Sequence, residues 1–245
     1  MAETRLGSRR SLSRPFLSLD RALERTQVYL DGGFDREWGT ETSGMVTLDK
    51  LAIDSSNVQE GIWYEPMSAK VLRRMMGRLD IDFGRFQFVD FGSGKGRVLM
   101  LAADFGFKKV IGVEFAPELH ARAEKNIEIW QRRRQKLGDV ELWCTDATEP
   151  PIPGDPLVAF FYSPFTGKVM EKVLQNLSSS WRNDPRPMVL MFYGENTYTI
   201  ELLRATGFQA EELRLRPDWS RFRHYRGFFF RSTTAEVDPV GTEPP

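Results

Sequence analysis

The sequence predicts a doubly wound α/β domain, and three observations carry that expectation. From residue 86 onward, short apolar runs alternate with stretches of helical periodicity. The apolar runs are near-continuous, as in strands of a parallel sheet covered on both faces. The first run also ends on an acid and passes through spaced glycines, "VDFGSGKGR", into an apolar helix.

The elements follow in chain order. "FQFVDF" reads as a strand and "GRVLMLAADFG" as a helix ended by Gly106. "KKVIGVEF" is a strand, and "APELHARAEKNIEIWQRRRQKLG" a long helix stopped by Gly138. "VELWCT" and "PLVAFFY" are strands, "GKVMEKVLQNL" a helix, "RPMVLMFYG" a strand and "TYTIELLRATG" a helix. "FQAEELRLR" and "HYRGFFFRS" have no helix between them and predict a terminal hairpin. Upstream, "SLDRALERTQVYL" predicts a helix and "DGGFDREWGTETSG" a Gly-rich loop, with "GTETSG" as its mobile part. A further helix is expected near Pro66, with Val71, Leu72, Met75 and Met76 at helical spacing. The expected organisation is a disordered tail at 1–14, a helical extension and lid at 15–82, the main domain at 83–233 and a second tail at 234–245.

Bulk properties remove several function classes. The 245 residues carry a formal net charge of +0, so no whole-molecule attraction to nucleic acid or anionic membrane is indicated. A single cysteine, Cys144, excludes an internal disulfide and a cysteine-based zinc cage, and no metal site is expected. It fits a cytoplasmic location. No apolar run approaches the ~20 residues of a membrane span. The opening "MAETRLGSRRSLSRPF" lacks the apolar core of a secretory signal.

The glycine loop decides the ligand class. A P-loop needs Ser or Thr after Gly-Lys, but Gly96 follows Lys95 here. The dinucleotide fingerprint needs a third glycine where this chain has Arg97. Asp90, directly before the turn, would repel a pyrophosphate and attract a cationic amine or sulfonium. S-adenosylmethionine combines an ammonium, a sulfonium, a ribose and an adenine, and it is the ligand that fits. Glu114 ends the second strand eighteen residues beyond Gly96, where an acid can bond ribose hydroxyls. Asp146 in "WCTDAT" follows the third strand and can accept from the adenine amine. "FFYSPF" ends the fourth strand and puts Tyr162, Ser163, Pro164 and Phe165 where a transferred methyl would emerge.

"VDFGSGKGR", "VIGVEF", "CTDAT" and "YSPF", in this order and spacing, resemble the successive motifs of class I S-adenosylmethionine-dependent methyltransferases. The resemblance covers roughly residues 60 to 232. "GSGKGR" with an upstream "YEPMS" further resembles a poorly characterised bacterial branch, distantly similar to the non-SET lysine methyltransferases. The resemblance implies a Rossmann-like seven-stranded sheet in the order 3-2-1-4-5-7-6, last strand antiparallel, with helices on both faces and an N-terminal helical extension. It implies that Asp90 and Gly92 to Gly96 (Gly92, Ser93, Gly94 and Gly96 among them) hold the methionine moiety, Glu114 the ribose, and Asp146 with Ala147 the adenine, with Phe91 and Phe115 also among the cofactor-binding residues. Tyr64 and Ser68 would fold over the cofactor. Related chains often carry Asn or Asp where this one has Ser163, so the acceptor atom does not follow from the motif.

The expected activity is therefore methyl transfer from S-adenosyl-L-methionine, yielding S-adenosyl-L-homocysteine, onto nitrogen of a protein side chain or a small amine. O- or carboxyl-methylation of a specialised metabolite and a catalytically silent cofactor-binding protein are the alternatives. "YSPF" can hold an acceptor through the Ser163 hydroxyl, or simply form a tight turn before a helix. Phe165 can stack on an acceptor or belong to the core. Tyr64 and Tyr162 read equally as lid or pocket residues. His120 reads as a surface residue and His224 as a packing residue. "RRRQK" reads as a solvated helix end. "RLRPDWSRFRHYR" interleaves Arg with aromatics as nucleic-acid-binding segments do, but the alternation also fits a hairpin with one polar face.

Overall fold

The computed structural model describes residues 32–51, 57–134, 139–215 and 225–233. Both expected tails, the helix expected over 18–30, the stop at Gly138, His224 and most of "RLRPDWSRFRHYR" lie outside the described residues.

Seven strands form one sheet: β1 (Gln87–Phe91), β2 (Lys109–Glu114), β3 (Val140–Cys144), β4 (Leu157–Phe161), β5 (Met188–Gly194), β6 (Gln209–Leu213) and β7 (Arg226–Arg231). Their spatial order is β3-β2-β1-β4-β5-β7-β6. β1, β2, β3, β4 and β5 pair in parallel, and β7 runs antiparallel to both β5 and β6. This is the expected order, with the terminal hairpin inserted so that β7 is interior.

β4 and β5 are buried at every position, which explains why their sequences show no alternation. Successive side chains still leave on opposite faces. Phe88 and Phe160 join the core beneath α2 (Ala69–Met76), α3 (Arg97–Asp104) and α4 (Pro117–Arg134). Val89, Phe91 and Phe161 join the core beneath α5 (Gly167–Asn183) and α6 (Thr197–Ala205). Each buried phenylalanine removes enough apolar area to contribute about 1.5–3 kcal/mol.

Three boundaries differ from expectation. Residues 32–38 are helical (α1), although "GGFDREW" reads as loop. Phe34 is buried against the core and Trp38 meets Trp130 of α4 edge-on, so tertiary packing overrides the two leading glycines. α2 starts at Ala69 after an extended Ser68, not at Pro66. α5 continues to Asn183, because Leu177 and Ser178 are buried and Trp181 packs on Phe208.

Candidate active site

The parallel strands deliver three acids to one cleft of about 880 Å³, counted to its open mouth. Asp90, from the tip of β1, is 2% exposed, and no hydrogen bond from a described residue reaches its carboxylate. Burial, and then the charge of Glu114, push its pKa well above the ordinary carboxylate range. Glu114 ends β2. Its Oε2 accepts from the Gly94 amide at 2.8 Å and its Oε1 from the Ala116 amide at 2.9 Å. Burial raises its pKa to about 7, with the backbone amides pulling the other way. Asp146 follows β3. Its Oδ1 accepts from the Thr148 amide at 3.0 Å and the Thr148 hydroxyl at 2.7 Å, and its Oδ2 from Asn57 Nδ2 at 2.9 Å.

Gly92, Ser93, Phe115, Ala147 and Tyr64 line the same cleft. Ser93 Oγ is buried without a hydrogen-bond partner among the described residues. The remaining expected cofactor residues, Ser68, Phe91, Gly94 and Gly96, are not in its lining. Phe91 stacks on Phe161 in the core at 5.2 Å, because alternation turns its side chain away from Asp90. Ser68 precedes α2, and Gly96 sits before α3 in a left-handed conformation with Ala123 against it. Gly94 lies under Tyr64: a β-carbon there would run into the tyrosine ring. Gly92 likewise leaves no room for one against Pro164, so the glycine spacing answers to neighbouring side chains as well as to ligand approach.

Tyr162, Ser163, Pro164 and Phe165 all reach the cleft. Ser163 has φ 41°, strained for a residue with a side chain, and its Oγ lies 3.5 Å from the Tyr193 carbonyl. The Pro164 carbonyl accepts from the Ile62 amide at 3.1 Å. Phe165 is 7% exposed, packs edge-on against Phe161 and pairs with Gly61 across an isolated bridge. It both lines the cleft and belongs to the core. Tyr162 stacks on Tyr193 at 5.7 Å and meets Tyr225 edge-on at 5.7 Å.

Sequence reasoning missed the other half of this end. A second cavity of about 700 Å³, counted to its open mouth, shares Ile62, Trp63, Glu65, Tyr162 and Ser163 with the cleft. Glu195, Asn196 and Tyr225 complete its described lining, and the Tyr225 hydroxyl is 3.4 Å from Glu65 Oε2. The adjacency of Trp63 and Glu65 to Tyr64 was the available signal. Nothing local marked Glu195, Tyr225 or Asn57.

"GTETSG" is tied down rather than loose. Asp35 accepts from the Thr40 and Thr42 hydroxyls and from the Thr42 and Ser43 amides at 2.7–2.9 Å. Lys95 Nζ donates to the Ser43 carbonyl at 2.8 Å while lying over the Tyr64 ring. Asn126 holds Glu41 through both its amide and its carbonyl. The Tyr64 hydroxyl closes the set by donating to the Thr42 carbonyl at 2.6 Å.

Asp90 and Ser93 present a buried carboxylate and a buried hydroxyl with no described partner, and this donor set fits the cationic amino-acid end of S-adenosylmethionine. The fold matches that of precorrin-6y C5,15-methyltransferase from Geobacter metallireducens GS-15 at 13% identity, 76% of this chain and 94% of that one, TM-score 0.50. Ribosomal protein L11 methylase from Lactobacillus delbrueckii subsp. bulgaricus matches at 18% identity over 66% and 78%, TM-score 0.47. An RNA methyltransferase from Salinibacter ruber, in complex with S-adenosyl-L-homocysteine, matches at 20% over 72% and 99%, TM-score 0.42. No curated protein sequence matches the chain at a significant level. Residues 54–143, which carry Asp90 and Glu114 and stop short of Asp146, match the family model described as histone methylation protein DOT1. The sheet order is that of the class I S-adenosylmethionine-dependent methyltransferase fold, and the match to the family model supports that enzyme class for this chain. Its similarity to the histone methylation family runs from the N-terminal segment to β3.

Proposed function

We propose that the protein N-methylates a cationic amine, on a protein side chain or a small molecule. The observation that carries this reading is the chemistry of the second cavity. Glu65 and Glu195 line it together with Trp63, Tyr162 and Tyr225, and no Lys or Arg belongs to its described lining. Carboxylates with aromatic faces suit an ammonium group, through charge attraction and cation–π contact. The wall this cavity shares with the cofactor cleft includes Tyr162 and Ser163, at the tip of β4.

When bound, S-adenosylmethionine supplies a methyl group activated on a sulfonium, so no general acid is required. In this reading Asp90 and Ser93 take the methionine end. Glu114 orders the glycine loop through the Gly94 amide and keeps lone pairs for the ribose hydroxyls. Asp146 and Ala147 face the adenine, with Tyr64 and the tied-down 39–44 segment covering the glycine loop. Holding the acceptor aligned at contact distance can supply ~7–11 kcal/mol of the barrier. An ammonium must first lose a proton to solvent, and in this reading the hydroxyls of Tyr162 and Tyr225 in the cavity lining relay it. In this reading the Ser163 hydroxyl and backbone steady the amine. The exposed, unpaired Cys144 suits the cytoplasm, where we place the protein.

Incubation of the purified chain with methyl-labelled S-adenosylmethionine and a cell extract tests this. Base-stable label on an amine is expected. Label released by mild base would indicate an ester and overturn the nitrogen assignment, and binding without any labelling would overturn turnover on an amine.

A further inference from the structure

The outer face of α2 carries cations that no described residue pairs. Lys70, Arg73 and Arg74 share that face, and Arg78 follows just past the helix end. Lys70, Arg73 and Arg78 are exposed and Arg74 is half-buried, whereas Val71, Leu72, Met75 and Met76 bury the opposite side. Among the described residues no hydrogen bond or ion pair engages any of these four side chains, and neither Asp80 nor Asp82 nearby closes one. Helix stability does not account for the pattern. Cations suit a last turn, where Arg73 and Arg74 stand, but Lys70 occupies a first turn that contains no acid. Lys70 and Arg74 are also like charges four residues apart, which weakens a helix further.

The helix is fixed beside the acceptor cavity. The Met67 carbonyl accepts from Arg97 at 3.2 Å just before α2, and the Leu79 carbonyl accepts from Arg231 at 2.9 Å just after it. Glu65, in the cavity lining, meets Tyr225 at the start of β7, whereas Arg231 ends that strand. α2 therefore runs along β7 away from the cavity, and its eight residues span about 12 Å.

We propose that this face of α2 docks an acidic segment of the protein that carries the acceptor amine. The inference deepens the amine-methylation reading and rests on it. The two surfaces are opposite in charge, with carboxylates in the cavity lining and cations on the helix that leads from it. A matching partner has a cation at the reacting position and acids about four to ten residues away, within reach of an extended chain. A nucleic acid would meet the same helix, but its phosphates would also run past Glu65 and Glu195 at the cavity, where like charges oppose docking. A small amine would leave the helix unused.

Two measurements on the full chain test this, with the wild type beside a variant combining Lys70→Ser, Arg73→Ser, Arg74→Ser and Arg78→Ser. Fluorescence anisotropy compares a Gly/Ser peptide holding one lysine and a block of glutamates, the same peptide with glutamines, and a single-stranded oligonucleotide of equal charge. The wild type should bind the glutamate peptide at least about tenfold more tightly than the glutamine peptide at low salt, and the margin should shrink as salt rises. The variant should lose that margin while binding S-adenosyl-L-homocysteine as the wild type does. With methyl-labelled S-adenosylmethionine and a cell extract, base-stable label should fall on protein, and the variant should label it about tenfold more slowly at low salt. A glutamate peptide that binds no better than the glutamine one, or that binds the variant equally well, would overturn this inference alone. So would tighter, helix-dependent binding of the oligonucleotide, or label confined to small amines. Failure to label any amine would overturn the methylation reading, and the peptide comparison would still decide the helix face. The wild-type comparison needs no variant to fold.

Discussion

Arg97 Nε donates to Thr42 Oγ1 at 2.7 Å, so the residue that closes the glycine loop anchors the N-terminal segment. The guanidinium is 2% exposed, donates also to the Met67 carbonyl and Ser43 Oγ, faces Asp35 at 3.9 Å and lies over the Phe34 ring. A dinucleotide fold places a glycine at this position to admit a phosphate. Here the position is filled by a cation that lines the cleft and is bonded into the N-terminal segment.

Removing that cation should loosen the segment from the sheet. Arg97→Met is expected to cost about 3–5 kcal/mol in urea denaturation, because it removes the cation facing Asp35 and leaves several buried acceptors unpaired. Arg97→Lys should recover little, since an ammonium cannot serve three partners in a planar fork.

Gly94 and Tyr64 should behave as a coupled pair. Gly94→Ala forces the tyrosine ring aside and is expected to weaken S-adenosyl-L-homocysteine binding. Tyr64→Ala in the same chain should relieve part of that loss. Calorimetry on the two single variants and the double variant should return a coupling of about 1–2 kcal/mol, and strict additivity would show that the ring does not decide the glycine.

The raised acids predict opposite pH effects on binding and on folding. Burial favours the protonated form of Asp90 in the empty cleft, whereas a cationic ligand needs the carboxylate. Binding should therefore release a proton, and affinity for S-adenosylmethionine should rise as pH rises through the elevated pKa. Calorimetry in buffers of different ionisation enthalpy reads that proton. Asp90→Asn should bind weakly and with a flatter pH profile. For Glu114 the folded pKa of about 7 exceeds the unfolded value, so the native state holds more protons between them. Its contribution to stability is intact below about 4.5 and is lost as pH rises through 7, a change of about 3 kcal/mol. The stability gap between the wild type and Glu114→Gln, followed by denaturation from pH 4.5 to 8, should shift by that amount.

Ser163 separates strain from chemistry. Ser163→Gly removes both the hydroxyl and the left-handed strain, and should raise stability by about 1 kcal/mol while lowering turnover. Ser163→Ala keeps the strain and should lower turnover without that gain. Thermal melts beside initial rates distinguish the two, and unchanged rates in both would remove the hydroxyl from the reaction.

The centre of the sheet was legible in the sequence because β4 and β5 are apolar on both faces. The acids at the strand tips were legible for the same reason, since topology puts the carboxyl ends of parallel strands together. α1 was not, because Gly32 and Gly33 argue against a helix that Phe34 and Trp38 impose only once the core exists. The cavity beyond Ser163 was not legible either. Its described lining comes from Ile62–Glu65, the tips of β4 and β5, and the start of β7, and these meet only through the crossovers of the fold. The sequence left Ser163 open between acceptor binding and a tight turn, and its direction toward the Tyr193 carbonyl depends on β5, thirty residues away.

The reversed direction of β7 has an evolutionary consequence. Because that strand runs against β5, pairing Gly194 with Arg226, Tyr225 arrives at the same edge of the sheet as the tips of the parallel strands. In the proposed reading the nucleoside is gripped from one flank, by β1, β2 and β3, whereas much of the rim that meets the incoming molecule belongs to the opposite flank. Drift at Tyr225 and Glu195 can thus retune which compound is accepted while the inherited grip on the nucleoside persists, a modularity that lets one scaffold diversify its clientele.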